Sequence, residues 1–353
     1  GVSSSQRPTP CRALRQAASP RAYPWHMQYR RLGKTGYEIS AIGFGAWAIG
    51  ADWGTVDDKD SLAALHAAAD AGINFIDTAD VYGDGRSERV IAGFLKERAG
   101  ERIYVATKMG RRVEQTLENY TPEAFVAWTQ RSRDNLDTET LDLVQLHCPP
   151  FDVYYTPELF AACDELVEEG VMRHYGVSVE KVEQAQKAME YPGVASVQII
   201  FNMVRQRPAD RFLGEAHARD VGVLARVPLA SGLLTGKYDE TSTFAKDDHR
   251  NYNRHGEAFD VGETFAGLDY EAGLAFVAAL RELTPEGYTT AQLALRWILM
   301  HEGVSAAIPG AKNVEQAQAN AAAADLPPLD EATMARVREL YEQLAMPLVH
   351  QRW

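Results

Sequence analysis

The chain has little of what defines several large protein classes. Three cysteines in 353 residues, Cys11, Cys148 and Cys163, make neither a disulfide framework nor a metal-ligand spacing, so a reducing compartment, the cytoplasm, is expected. No apolar run approaches the ~18 residues that span a bilayer, so no membrane-spanning helix is expected. Positive charge is in deficit: 36 Lys and Arg face 49 Asp and Glu, a net charge of −13. That balance argues against nucleic acid and against anionic membrane surfaces as partners. Linkers and low-complexity tracts are missing too, and a single domain over residues 27–353 is expected. The opening segment is the exception. Residues 1–26 carry four arginines and no acid, a composition that resembles an organelle transit peptide. The preferred expectation is an over-long gene start, with Gly1 a cloning remnant and Met27 the functional start, and this segment is set outside the fold.

What is present is a regular alternation. Tyr29–Leu32 and Tyr37–Ile39 flank Gly33-Lys34-Thr35-Gly36, the pattern of a hairpin. Strand-like runs then end near Gly45, Asp77, Lys108, His147, Ser178, Ile200, Arg226 and Ile308, mostly at the roughly 30-residue spacing of a βα unit. The last interval is far longer and holds an insert between Ser231 and Glu282. Helices between the runs are well punctuated. Thr121-Pro122-Glu123 and Thr156-Pro157-Glu158 each offer a capping threonine, a first-turn proline and an acid. Thr289 with Gln292, and Asn313 with Gln316, form capping-box patterns. A final helix over 330–344 lies outside the eight repeats. The expected fold is a (β/α)8 TIM barrel with an N-terminal hairpin, a long insert after strand seven and a C-terminal extra helix.

The barrel is preferred over an open sheet because of where polar residues fall. Asp77, Lys108 and His147 end the second, third and fourth barrel strands, and Tyr82 follows Asp77 by five residues. In a barrel all C-terminal strand ends face one mouth; in an open sheet they would spread along an edge. An acid, a phenol, an ammonium and an imidazole in one pocket suit proton delivery to a carbonyl. A phenol near pKa 10 is a poor acid at neutral pH, and an adjacent ammonium is expected to lower that value.

Two motifs mislead. Gly43-Phe44-Gly45-Ala46-Trp47-Ala48 fits a loose dinucleotide fingerprint, but residues 50–54 read as a loop, so no helix is expected to open there. The stretch Gly232–Tyr238 is one residue short of a P-loop and ends in Tyr where Ser or Thr would be needed.

Between Met27 and Leu344 the chain resembles the aldo-keto reductase superfamily, including bacterial members and potassium-channel β-subunits. The matching stretches are Y-R-R-L-G-K-T-G, G-I-N-F-I-D-T-A-D-V-Y-G, V-A-T-K-M-G, L-D-L-V-Q-L-H, Y-G-V-S, V-P-L-A-S-G-L-L-T-G-K-Y and I-P-G-A-K. The resemblance implies NADPH held without a Rossmann fold, no metal, and a catalytic tetrad of Asp77, Tyr82, Lys108 and His147. It implies that Ser178 and Gln198 meet the nicotinamide carboxamide, with Val179 where Asn is usual. Arg226 takes the slot of an aromatic residue that stacks on the ring. Pro228, Leu229, Gly232, Leu234 and Lys237 match the loop over the pyrophosphate. Gly310, Ala311, Lys312, Gln316 and Asn320 match the adenosine-phosphate segment, with Gln316 where many relatives have Arg. Lys312 can still meet a 2′-phosphate, so NADPH is favoured over NADH.

The substrate pocket is read from aromatic residues that follow the first and fourth strands: Trp47 and Trp53, then Phe151, Tyr154 and Tyr155. They suggest walls for an apolar or aromatic carbonyl. The expected activity is reduction of an aldehyde or ketone, with Tyr82 as general acid. The alternatives are a cofactor-binding regulatory protein with little turnover, and an NAD-dependent sugar or polyol dehydrogenase. The substrate, the direction of reaction and the oligomeric state are not legible.

Overall fold

A computed structural model describes residues 26–50 and 58–353. The expected leader, apart from His26, and Trp53 lie outside the described residues. Strands β1 (Tyr29–Arg31) and β2 (Glu38–Ser40) form an antiparallel hairpin across a 3-10 turn at Gly33–Thr35. Eight parallel strands follow in sequential order: β3 (Phe44–Gly45), β4 (Phe75–Asp77), β5 (Tyr104–Met109), β6 (Leu143–His147), β7 (Tyr175–Ser178), β8 (Val194–Ile200), β9 (Gly222–Arg226) and β10 (Ala306–Ala307). The first and last of them meet through bridges Ile42–Ala307 and Gly45–Gly310, and Gly43 N donates to Ala307 O at 2.8 Å. The sheet is thus a (β/α)8 barrel, closed at a seam where Gly45 is required. A Cβ there would stand 2.8 Å from Ile308 O.

The strand ends shift slightly from the sequence expectation. β5 runs one residue past Lys108, and β10 stops one short of Ile308. Side chains alternate between barrel interior and helix layer with period two. Inward positions of Phe75, Ala106, Leu143, Leu224 and Ala306 make the lower core, and the hairpin stoppers it with Leu32, Tyr37 and Ile39, all buried. Each such large side chain contributes about 1.5–3 kcal/mol of burial. The next inward layer up is polar, as the site requires.

Caps form at Thr121, whose hydroxyl accepts from Ala124 N at 3.1 Å, and at Thr289, where the reciprocal box with Gln292 is complete. Two expectations fail. Thr156 precedes its helix, but its hydroxyl donates to Asp152 O at 2.9 Å instead of capping. Asn313 caps Gln316 N, while Gln316 Oε1 accepts from Lys312 N at 2.8 Å, so that box is only half made. A third expectation fails in part: a single helical turn, Trp47–Gly50, does open after β3, while residues 51–54 of the expected loop lie outside the described residues. The turn is four residues long and packs on the loop carrying Tyr82. A Cβ at Gly50 would lie 2.3 Å from the Tyr82 carbonyl carbon, so glycine lets that turn buttress the loop.

The insert after β9 folds over the mouth as short turns and the helix Tyr270–Leu283. The extra helix, Glu331–Leu344, is capped by Asp330 and packs on Tyr270–Leu283. Trp353, beyond it, is buried against the insert.

Candidate active site

The polar layer arises from inward positions two residues above the apolar core. On β4 that position is Asp77, on β5 Lys108, on β6 Gln145 and on β8 Gln198. Lys108 lies beside Gln145 in register, and Ser178 beside both His147 and Gln198. Lys108 is 1% exposed. Its Nζ donates to Asp77 Oδ2 at 2.6 Å, Thr78 O at 3.0 Å and Tyr82 OH at 3.1 Å. All three ammonium protons thus have acceptors. Asp77 Oδ1 accepts from Gln145 Nε2 at 3.1 Å and Gln198 Nε2 at 2.8 Å. The Tyr82 and His147 rings meet edge to face, centroids 6.1 Å apart.

Electrostatics set the protonation states. Burial would strip Lys108 of its proton, but Asp77 and Tyr82 outweigh it and hold the ammonium above its ordinary range. The expected lowering of Tyr82 is reversed: burial raises it, and Lys108 takes back only part. Tyr82 is therefore a protonated phenol whose anion is stabilised only locally, by Lys108. His147 is pushed well below its usual value by burial and by Arg111, Lys108 and Arg226, so it is neutral, and its Nδ1 has no partner. Asp80, two residues before Tyr82, is buried with both carboxylate oxygens unpartnered. Burial and Glu88 raise it to about 7.

The cofactor candidates differ in exposure and in partners. Ser178 is buried, its Oγ 3.7 Å from Cys148 Sγ. The Gln198 amide nitrogen is committed to Asp77 and to Gln145 Oε1, the latter at 2.8 Å. Arg226 does not present a free plane. Its guanidinium pairs with Glu263 Oε2 at 2.6 Å and donates to Val179 O at 2.9 Å, while Nε is unpartnered. Pro228 and Leu234 are buried, Leu229 and Gly232 half-buried, and Lys237 exposed. Val227, Ala230 and Ser231, all non-glycine, join Gly232 at positive φ; such strain concentrates where backbone meets ligands. Gly310 and Lys312 are exposed and Ala311 is buried. Gln316 and Asn320 shape this segment by bonding the Lys312 N–H and the Gly310 carbonyl.

Among the aromatic candidates, Trp47 sits edge-on to His249 of the insert, centroids 4.9 Å apart. Phe151 is exposed and stacks on Tyr155. Tyr154 is fully buried, its hydroxyl without a partner. Sequence reasoning missed Gln145, Arg111, Glu180, Glu263 and Trp353. Gln145 had a signal, since it lies two residues before His147 on the same strand face. Arg111 pairs with Glu180 at 3.1 Å. Cys148, Glu180 and Glu263 place ligand atoms within 4.8 Å of one another, but the two carboxylates are already paired with guanidinium groups, which competes with any cation.

A lysine locked between a carboxylate and a phenol at a barrel mouth, beside a neutral imidazole, is an arrangement chemically able to move a proton. The aldo/keto reductase family model matches residues 41–342, and the chain belongs to that family. It is 32% identical over 299 residues to the aldo-keto reductase YhdN of Bacillus subtilis, covering 83% of this chain and 87% of that one. Its fold matches the glycerol dehydrogenase AKR11B4 of Gluconobacter oxydans at a TM-score of 0.73 and 29% identity, covering 90% and 96% of the two chains. It also matches an aldo/keto reductase of Klebsiella pneumoniae solved with NADP and acetate, at a TM-score of 0.66 and 25% identity, covering 90% and 96%. Among the described residues, no helix is long and apolar enough to cross a membrane.

Proposed function

We propose that the protein reduces an aldehyde or ketone with NADPH, and that Tyr82 is the general acid. The observation that carries this is the buried Lys108 bridging Asp77 and Tyr82 at 2.6 and 3.1 Å. The residues present suit the cofactor. His147 Nδ1 and Arg226 Nε are buried polar atoms without partners at the mouth. The left-handed run at 230–232 and the exposed Lys312 offer backbone and cationic groups for phosphates, while Arg250 nearby is held by Asp248 at 2.5 Å. Lys312 favours a 2′-phosphate, hence NADPH over NADH.

When bound, NADPH supplies the hydride. The chain supplies the proton and the positioning. Tyr82 OH transfers its proton to the substrate oxygen, and the Lys108 ammonium stabilises the phenolate that remains. Asp77, fixed by Gln145 and Gln198, keeps Lys108 charged and aimed. Neutral His147 orients the substrate oxygen without competing for the proton.

A second reading, oxidation of a polyol, draws support from the charged mouth, where Arg111–Glu180 and Arg226–Glu263 offer polar partners. The similarity to a glycerol dehydrogenase points the same way. The test is NADPH oxidation with a reactive aromatic aldehyde and with glyceraldehyde, run beside NADP⁺ reduction by glycerol. Tyr82→Phe should lower the preferred turnover ~10²–10⁴-fold with nucleotide binding intact. Full turnover in Tyr82→Phe would sink the assignment of the acid. Tight NADPH binding without turnover in the wild type would favour a regulatory protein.

A further inference from the structure

Glu263 reaches the mouth from the insert, on the 3-10 turn Val261–Glu263. Its seat is built with care. Asp260 Oδ1 accepts from Gly262 N at 2.7 Å and from Trp353 Nε1 at 3.0 Å. The Trp353 indole fills the space that Cβ atoms at Gly262 and Gly267 would need, 3.1 and 2.3 Å away. Ser231 Oγ donates to Glu263 O at 3.2 Å and accepts from Phe265 N at 3.1 Å. The result is a largely buried ion pair, Arg226 to Glu263 at 2.6 Å. The pair is felt at the reacting groups: Arg226 helps depress His147, and Glu263 helps raise Tyr82. Around it stand Arg111, Arg205 and Arg226 against Glu180, Asp260 and Glu263, three cations against three anions.

We propose that Glu263 is a positioning and charge-compensating residue that sets which redox form of the nicotinamide cofactor the site prefers. This rests on the NADPH reading above. Hydride must reach the carbon whose oxygen meets Tyr82, so the nicotinamide ring has to lie beside Tyr82 and His147, within the field of Arg226. That ring is neutral in NADPH and cationic in NADP⁺. A bare guanidinium penalises the oxidised form alone. The Glu263 carboxylate cancels that penalty, and the insert, clamped by Trp353, delivers it. Removing the carboxylate leaves the cluster with a net charge of one instead of none, which opposes the cationic ring of NADP⁺ but not the neutral ring of NADPH, while the phosphates common to both feel it alike.

The experiment measures Kd for NADPH and for NADP⁺ by tryptophan fluorescence, at one ionic strength, in the wild type, Glu263→Gln, Glu263→Asp and the double variant Arg226→Leu/Glu263→Gln. In Glu263→Gln the NADP⁺ Kd should rise at least about tenfold more than the NADPH Kd. Glu263→Asp, which keeps the charge, and the double variant, which removes both charges, should return the ratio to near the wild-type value. Equal weakening of the two forms, or no change in the ratio, overturns the proposal, because lost structure alone moves both alike. If Glu263→Gln does not fold, the double variant decides, and a ratio far from the wild-type value overturns the proposal. A wild type that binds neither nucleotide overturns the functional reading itself and this proposal with it.

Discussion

Asp77→Asn tests the site as a buried ion pair. Lys108 is 1% exposed, and its ammonium lies 2.6 Å from the Asp77 carboxylate. Asparagine nearly preserves shape and can still accept from the two glutamine amides, but it leaves a buried ammonium without its counter-charge. Breaking such a pair from one side costs about 3–5 kcal/mol. Unfolding entropy near 2.1 cal/mol/K per residue, over a chain of 353 residues, makes this a fall in melting temperature of roughly 4–7 °C. The loss should depend on pH. In the variant, burial lowers Lys108 below its unfolded value, so the unfolded state binds more protons and stability rises with pH. The gap to the wild type should therefore narrow in alkaline buffer. The double variant Asp77→Asn/Lys108→Met, with neither charge of this pair, should regain most of the melting temperature while staying inactive. Calorimetry with a parallel turnover assay reads both quantities. An Asp77→Asn variant that melts within about 1 °C of the wild type and turns over normally would refute the reasoning.

Two further outcomes are expected. Asp80 is raised to about 7 in the folded protein from an ordinary value of 3.8. The native state therefore holds a proton that the unfolded state has lost, and stability falls as pH rises from about 4 to about 7; Asp80→Asn should be more stable than the wild type at pH 8, with the difference gone near pH 4, by thermal melts across that range. Lys312→Ala should weaken NADPH binding at least about tenfold and leave NADH unchanged, by titration of both, and equal effects would remove the 2′-phosphate assignment.

Much of this architecture can be read from sequence because a barrel strand buries both faces. Its apolar run must stop where the mouth begins, and the stopping residue is polar. Asp77, Lys108 and His147 are visible for that reason, and so are the strand ends. Glu263 and Trp353 are invisible for the opposite reason. They reach the site through a segment with no period, and only the folded path of the insert brings them within reach of Arg226. Thr156 shows a subtler limit, since a competing carbonyl at Asp152 claims its hydroxyl, and local pattern holds no record of that choice. Tyr82 shows another. Counting charges along the chain gives the sign of the Lys108 effect but says nothing of burial, which here is larger.

The hairpin at the foot of the barrel has a consequence for traffic. With Leu32, Tyr37 and Ile39 stoppering one end, the cylinder built by the described residues is open only at the other. Any two molecules that meet at Tyr82 must share it, in and out. The one that lies deeper has to arrive first and leave last, and an excess of the other can shut it in.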